Sequence, residues 1–497
     1  MLPTPSNLPT GLMPERLIAI YDWLDRASAP NLADEILSLS GFLQILRKSG
    51  VSEQQLTLLG RLHARALSIA QKVRDQLLAQ YPPVPYETRL LARHTQSILR
   101  QLSEHFLDIL AVEHSAKTPL LPQQERALTK SLAALYQHLL ISYLGASSPE
   151  KDTWHPLHQI YELVERLRLA GRLSASSARS LNTAYHAAIL LGISQATSFT
   201  PQEFDFVVTY IERCANKLTE RVAPTPDEQG IFWVDARQDT PAIARSRKKP
   251  LVSESRVRYF CTAQLTQQLQ KQQIALADGI APSALYLSDF FATSAGAGVL
   301  RKLFSYWNEP GKRRFPRRRK TARGHLYSGL ETLWHLPKNL PQDMLSDKQE
   351  SHWMILNESP DGCELMHIEG EMKPLSVGGI VALRMESENH WRTGLIRRIV
   401  SENQEHLELG LSLIAQQAIP AFLAQKDGLP LRVLLLPKLD TPQSSEQLVV
   451  PASFLSHFSE RLILIVEQEN TQFCEIKNTG LIEQNSQVAI FSFERIS

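Results

Sequence analysis

The sequence predicts a multidomain α + β protein, with an all-helical N-terminal domain, a mixed middle module and a C-terminal antiparallel β-barrel with additional β-strands. A chain of 497 residues is too long for one hydrophobic core, so we expect roughly three domains. Apolar residues recur at three- and four-residue steps up to residue 222, and at alternate positions after residue 323. The expected segments are 1–222 (helical), 228–310 (mixed α/β), 311–423 (β-barrel) and 424–497 (a β extension or a second β module).

The segment from residue 14 to 222 is predicted to be helical almost throughout, in about seven to nine helices. One predicted apolar helix face comprises Leu56, Leu59, Leu62, Ala66, Ile69, Ala70, Val73 and Leu77. Ser52 and Gln55 have capping-box spacing at its start, and Thr200, Pro201 and Glu203 predict the start of a later helix. The spacing is too irregular for a fixed repeat, so a stacked helical array and a plain bundle both remain open.

His155, His158 and Glu162 share one face of a predicted helix, where they could in principle contact a metal ion. Their neighbours are residues typical of a core, namely Trp154, Leu157, Ile160, Tyr161 and Val164. We therefore predict that the two histidines serve helix packing and that the chain has no metal site.

The pattern changes after the linker-like segment 222–227, which contains two prolines. Strands are predicted at 231–234 and 257–261, and helices at 262–273 and 298–307. From Arg323 onward short strands dominate. The alternating residues are Val381, Leu383 and Met385, and then Leu407, Leu409, Leu411 and Leu413.

A further strand is predicted at 390–400, and the spacing of these strands and their turns favours a small antiparallel barrel. The polar segment 337–350 is predicted to be a loop insertion. Later strands are predicted at 431–436, 447–450, 462–466 and 488–493. They either enlarge the same β-structure or form a second β module.

Composition excludes several classes of function. Hydrophobic residues make up 43% and charged residues 21% of the chain, as in ordinary globular proteins, and the formal net charge of +2 does not imply general affinity for nucleic acid. The four cysteines have no metal-binding spacing, no signal peptide is evident, and the apolar runs are too short to cross a bilayer. We expect a cytoplasmic protein without membrane insertion. No nucleotide-binding glycine loop or nucleophile elbow is present, so we expect neither an enzyme nor a cofactor.

The segment from Gly311 to Lys320 reads G-K-R-R-F-P-R-R-R-K, with seven cations in ten positions. Arginine suits phosphate and guanine, because its planar fork donates two hydrogen bonds and stacks on bases. Two registers have R-x-x-x-R spacing, Arg313 with Arg317 and Arg314 with Arg318, and we prefer the first. A solvated basic linker is the alternative, and a nucleic-acid patch is less well supported because the run has a single aromatic residue.

A polar turn is predicted forty residues after Arg317, where the chain reads N-E-S-P-D-G from residue 357 to 362. Asn357 and Ser359 supply hydrogen-bonding groups, and Gly362 allows a positive φ or the close approach of a ligand. A strand is predicted to end at Asn357 and another to begin at Cys363. An ordinary hairpin turn has the same composition, so the turn alone indicates little.

The two motifs in this order resemble the PilZ family of cyclic di-GMP receptors. The resemblance covers residues 310–423 and includes Gly394-Leu395-Ile396-Arg397-Arg398 and Leu409-Gly410-Leu411. It implies a six-stranded barrel, with an arginine arm that closes over cyclic di-GMP beside the polar turn. The implied ligand-binding residues are Arg313, Arg314, Arg317, Arg318, Asn357, Ser359 and Gly362. Two features depart from the family pattern: Asn357 replaces the acidic form of the motif, and the gap between the motifs is longer.

The sequence thus favours a cyclic di-GMP receptor whose helical N-terminal domain contacts a protein partner. Without ligand we expect the arm at 311–320 to be mobile because its charges repel, and we expect ligand phosphates to order it and change the domain arrangement. A PilZ-like scaffold that has lost its ligand and a nucleic-acid-binding protein remain as alternatives. The sequence leaves the oligomeric state and the downstream process undetermined.

Overall fold

The computed structural model describes residues 14–26, 31–47, 53–114, 122–167, 180–225, 228–251, 257–308, 315–336, 351–370, 373–403, 406–424, 429–437, 446–457, 461–467, 471–485 and 487–496. These residues form two compact units. The first comprises the described residues up to 80, from 84 to 194 and from 208 to 263. The second comprises 81–83, 195–207 and the described residues from 264 onward.

The predicted helical region is confirmed, with eight α-helices among the described residues up to Cys214. They are α1 (Pro14–Asp25), α2 (Leu32–Arg47), α3 (Glu53–Leu78), α4 (Tyr86–His114), α5 (Pro122–Leu144), α6 (Trp154–Arg166), α7 (Leu181–Ile193) and α8 (Pro201–Cys214). The predicted face of α3 is buried from Leu59 to Leu77, while Leu56 is half-buried. Ser52, the predicted cap of this helix, lies outside the described residues.

The capping box predicted at the start of α8 is present. The Glu203 amide donates to Thr200 Oγ1 over 3.1 Å, and the Thr200 amide donates to Glu203 Oε2 over 3.1 Å. Two otherwise unpaired backbone donors are satisfied in this way, so the helix begins at Pro201.

His158 on α6 is a packing residue, as predicted. Its Nε2 lies 2.9 Å from the Thr240 carbonyl oxygen, which can only accept, so Nδ1 accepts from the Tyr185 hydroxyl at 2.7 Å. Burial lowers the pKa of His158 to about 4, because a charged ring would lose solvation and its acceptor nitrogen. His155 Nδ1 contacts the Ala236 carbonyl oxygen at 3.1 Å.

A small antiparallel sheet completes the first unit, in the order β1-β4-β2-β3. Its strands are β1 (Thr219–Arg221), β2 (Ile231–Asp235), β3 (Ile243–Ala244) and β4 (Val257–Cys261). Helices α9 (Ala263–Ala277) and α10 (Ser294–Asn308) follow. The boundary between the units falls after residue 263, so the segment 228–310 contributes its strands to the first unit and its helices to the second.

The predicted antiparallel barrel is confirmed as a closed six-stranded barrel in the order β10-β7-β6-β5-β8-β9. Its strands are β5 (Arg318–Ser328), β6 (Ser351–Ser359), β7 (Gly362–Glu369), β8 (Ile380–Met385), β9 (Arg392–Ser401) and β10 (Leu407–Ala415). A short helix, α11 (Leu330–His335), follows β5. The alternating residues Leu383, Leu407 and Leu409 fill the barrel interior. The predicted loop at 337–350 lies outside the described residues.

A second closed six-stranded barrel follows, in the order β11-β12-β13-β16-β15-β14. Its strands are β11 (Ile419–Ala424), β12 (Leu431–Leu436), β13 (Gln447–Pro451), β14 (Arg461–Glu467), β15 (Thr471–Gln484) and β16 (Val488–Arg495). The sequence analysis missed β11 and β15. Proline at position 420 weakens the strand signal of β11. β15 is largely exposed and polar, so its sequence lacks a clear alternation of apolar residues, and it is recognised as a strand only by its pairing with β14 and β16.

The two barrels contact each other within the second unit. Residues of both, including Leu395 and Leu434, share one hydrophobic cluster. The Asn485 side-chain amide donates to the Gly378 carbonyl over 2.8 Å, and Arg397 Nη2 donates to Glu483 Oε2 over 2.9 Å. Arg397 is the extra residue of a β-bulge, because Arg398 and Ile396 pair with the adjacent Gly410 and Leu411.

Candidate ligand-binding site

The β6–β7 hairpin is tighter than the sequence predicts. β6 continues through Asn357 to Ser359, and β7 begins at Gly362, so the turn itself is Pro360–Asp361. The Ser359 hydroxyl lies 2.7 Å from Asp361 Oδ1 and 3.1 Å from the Gly362 carbonyl oxygen, and either can accept its proton. These local acceptors stabilise the tight turn, so Asn357 and Ser359 are held on a strand rather than on a loop.

Gly362 serves the barrel backbone. It is not among the described glycines with a positive φ. A Cβ atom at this position would overlap the carbonyl oxygen of Leu411 on β10. The absence of a side chain therefore allows β7 and β10 to approach each other, and the positive φ that glycine would permit at this position is not adopted.

The basic cluster is part arm and part strand. β5 begins at Arg318, which pairs with Glu358 across the ladder, and Arg319 pairs with Asn357. This register places the end of the predicted arm beside the β6–β7 hairpin. The basic residues of β5 thereby lie opposite the acidic Glu358 of β6, an arrangement that opposite charges favour. Arg313 and Arg314 lie outside the described residues, so the structure does not place them.

Arg317 and Asn357 meet at one carboxylate, that of Glu364 on β7. Arg317 Nη1 donates to Glu364 Oε2 over 3.1 Å, and Asn357 Nδ2 donates to the same oxygen over 2.6 Å. Because a carboxylate only accepts, this contact sets the orientation of the Asn357 amide. The amide oxygen, Asn357 Oδ1, is buried and has no hydrogen-bond partner within the described part of the chain. A buried unpaired acceptor of this kind indicates a site for a hydrogen-bond donor.

Arg398 on β9 completes the cluster, and the sequence analysis did not single it out as a ligand residue. Its Nη2 lies 2.8 Å from Glu364 Oε1 and 3.4 Å from Glu408 Oε2. Gly410 stands between Glu364 and Arg398 in the strand pairing and has no side chain, so Arg398 reaches across it. The sequence signal for this contact was limited to the two short segments of the PilZ resemblance that contain Arg398 and Gly410, namely 394–398 and 409–411.

A second carboxylate orders the neighbouring part of the barrel. Glu358 accepts from Lys320 over 2.6 Å and from Arg392 over 2.8 Å. Burial acts to raise the pKa of Glu358, but the hydrogen bonds from Lys320 and Arg392 outweigh it and lower the pKa. Glu358 is therefore ionised at neutral pH and fixes Lys320 at the base of the hairpin, close to the site.

Among the described residues, three of the predicted site residues form one surface: Arg317, Asn357 and Ser359. Arg318 is on the same strand pair but is exposed. The resulting site has cationic side chains beside a polar hairpin, on the outer face of a small closed barrel. Such a surface is chemically suited to an anionic ligand with hydrogen-bond donors, as in the class of proteins that bind small ligands.

Comparison with known families agrees with this class. A family model of the N-terminal domain of the cyclic-di-GMP receptor FimW matches residues 18–223, and a model of its middle PilZ domain matches residues 338–420. The two matches together span more than half of the chain. The chain therefore belongs to the FimW family of cyclic-di-GMP receptors, and the predicted PilZ resemblance is confirmed. No curated protein matches the sequence at a significant level.

Two further observations apply to the described residues alone. None of their helices combines the length and the apolar character required to span a bilayer. They also contain no group of three or more His, Cys, Asp or Glu side chains placed to hold a metal ion.

Proposed function

We propose that this chain binds cyclic di-GMP on the outer face of the first barrel and acts as a receptor rather than an enzyme. The convergence of Arg317 and Asn357 on Glu364, with Asn357 Oδ1 left unpaired, carries the proposal. The family match supports the identity of the ligand. Each group has a chemical counterpart in the dinucleotide, which carries two phosphates and two guanine bases.

Arg317 is proposed to bind a phosphate, because its guanidinium lies 3.1 Å from Glu364 on β7 and its side chain is 28% exposed. Asn357 Oδ1 accepts from a guanine N–H donor, which removes an unsatisfied buried acceptor. The Ser359 hydroxyl then donates its hydrogen bond to a ligand atom instead of to an acceptor within the turn. By the family resemblance, Arg313 is proposed to bind the ligand together with Arg317 as the R-x-x-x-R pair, and Arg314 with Arg318 is the alternative register.

The proposed response to the ligand is a rearrangement of the part of the basic arm that precedes β5, residues 311–317, because Arg318 to Lys320 already belong to that strand. The phosphates neutralise its charges and take Arg317 from Glu364, so the arm folds onto the barrel. Since this arm connects α10 to β5 within the second unit, its rearrangement is proposed to move α10 relative to the first barrel and so to alter the domain arrangement. A protein partner is then proposed to bind the helical N-terminal domain. The protein is proposed to act in the cytoplasm.

Calorimetry with cyclic di-GMP tests the site. Replacing Arg313 or Arg317 with Ala should weaken binding by a factor of roughly ten to over a hundred, because each charged hydrogen bond contributes about 1.5–3 kcal/mol. Arg323→Ala is a matched control: it removes the same charge from an exposed position on β5, the strand that follows Arg317.

Three outcomes separate the alternatives. Equal affinity of the wild type and the Arg313→Ala/Arg317→Ala double variant contradicts the site assignment. Absence of heat at high micromolar ligand identifies a scaffold that has lost its ligand. Salt-dependent retention on DNA or RNA that does not depend on Asn357 or Ser359 identifies a nucleic-acid-binding arm.

A further inference from the structure

The side chain of Glu364 contacts three groups of the candidate site: Arg317, Asn357 and Arg398. Both of its oxygens are occupied: Oε2 accepts from Arg317 and Asn357, and Oε1 accepts from Arg398. Its side chain is 17% exposed, so this pairing is partly shielded from water. The same two arginines are the cations that an anionic ligand requires.

The barrel framework builds this arrangement. Glu364 pairs with Asn357 on β6 and with Gly410 on β10, and Gly410 pairs in turn with Arg398 on β9. Paired residues of neighbouring strands face the same side of a sheet, so Asn357, Glu364 and Arg398 form a row across the barrel wall. The glutamate at position 364 is thus directed at both arginines.

The charges of this row cancel in the free protein. Arg317 and Arg398 carry two positive charges, and Glu364 and Glu408 carry two negative charges within ion-pairing distance of them. A dianionic ligand therefore meets a neutral cluster, and its phosphates are repelled by Glu364 until the arginines turn away from it. Asn357 Oδ1 already supplies the acceptor for a guanine donor, so Glu364 is not needed for that contact.

We propose that Glu364 is an internal competitor of the ligand: it occupies Arg317 and Arg398 in the free receptor, and the ligand phosphates displace it. This inference rests on the proposed function and adds a residue that sets the ligand concentration to which the receptor responds. Glu364 is also a positioning residue, since it accepts from Asn357 Nδ2 and so fixes the orientation of the amide that leaves Oδ1 unpaired.

Glu364→Gln is the decisive variant, because glutamine keeps the size and an acceptor for Asn357 Nδ2 but has no charge. We expect this variant to bind cyclic di-GMP about tenfold more tightly than the wild type, the effect of sparing one charged hydrogen bond. Glu364→Ala should also bind more tightly, by a smaller factor, because Asn357 loses its positioning acceptor.

Glu408→Gln is the matched control. Glu408 contacts Arg398 and His406 on the same barrel but contacts neither Arg317 nor Asn357. We expect its affinity to change by less than about threefold, since Glu408 lies 3.4 Å from Arg398 and its replacement leaves both arginines paired with Glu364.

Salt dependence provides a readout that a purely structural role would not change. Without the carboxylate the cluster carries a net positive charge, so the affinity of Glu364→Gln should fall more steeply with ionic strength than that of the wild type. Circular dichroism and thermal unfolding check that each variant folds.

The outcomes are distinct from those of the proposed function. If the wild type binds, Arg317→Ala loses binding and neither Glu364 variant gains affinity, the competitor role is refuted while the site stands. Weaker binding by Glu364→Gln shows that Glu364 contacts the ligand directly, which also overturns the inference. If neither the wild type nor Glu364→Gln binds the dinucleotide at all, the proposed function itself fails.

Discussion

Asn357→Asp should destabilise this protein, although it restores the acidic form of the family motif. In the structure Asn357 Nδ2 donates to Glu364 Oε2 over 2.6 Å. An aspartate at this position has no donor and places a second carboxylate against the first. The substitution therefore replaces a hydrogen bond to a charged group with a repulsion between like charges.

The magnitude follows from the two terms. Loss of a hydrogen bond to a charged group costs about 1.5–3 kcal/mol. Two like charges separated by about 4 Å repel by up to about 4 kcal/mol at an effective dielectric constant of about 20. Arg317 and Arg398 stay close to the pair and offset much of this repulsion. We expect the free energy of unfolding of the second unit to fall by about 2 kcal/mol after this compensation.

The assay is a double-mutant cycle in chemical denaturation. In a Glu364→Gln background the glutamine amide can donate to the introduced carboxylate, so Asn357→Asp should cost less than about 0.5 kcal/mol there. Asn357→Ala is the control that removes the hydrogen bond without adding charge. The reasoning is refuted if Asn357→Asp costs the same in both backgrounds, or if it is no more destabilising than Asn357→Ala.

Two other predictions concern parts of the molecule outside the site. The pKa of buried His158 is about 4, below its value of about 6.5 in an unfolded chain, so its contribution to stability is present above pH 6.5 and is lost as the pH falls toward 4. His158→Gln should therefore lose about 2 kcal/mol less stability than the wild type between pH 7 and pH 5, in urea unfolding at both pH values; an unchanged pH dependence would contradict this. Asn485→Ala should destabilise the paired barrels by about 2 kcal/mol or more, because buried Asn485 donates to the Gly378 carbonyl and accepts from the Val488 amide. Thermal unfolding measures the stability of this variant and of its control, Asn478→Ala, which lies at a half-buried position of the same barrel. The control should lose less stability, and equal losses would count against a special role for Asn485.

Local patterns predicted much of the architecture. The three- and four-residue apolar steps of α3 and the alternation around Leu407 correspond to buried faces in the structure, because burial of one face follows directly from side-chain period. The capping box at Thr200 and Glu203 is equally local. These features depend on residues within one turn or one strand of each other, so the sequence predicts them without knowledge of the tertiary fold.

The candidate site was only partly predictable. Its arginine arm and polar hairpin were evident as motifs, but Glu364 and Arg398 were not selected, since their contact depends on a register across β7, β10 and β9. The limits of the turn were also misjudged. Composition predicted a six-residue turn from Asn357 to Gly362, whereas the pairing of Ser359 with Gly362 leaves Pro360 and Asp361 as the turn.

The sequence by itself determined the class of fold, the order of its helical and β regions and the polar chemistry of the hairpin, because periodicity and side-chain type are properties of neighbouring residues. Only the tertiary structure decided that the later strands close into a barrel of their own and that Glu364 stands between Arg317 and Arg398. Those facts depend on strand pairing between residues far apart in the chain, and pairing is set by packing of the whole barrel rather than by any single segment.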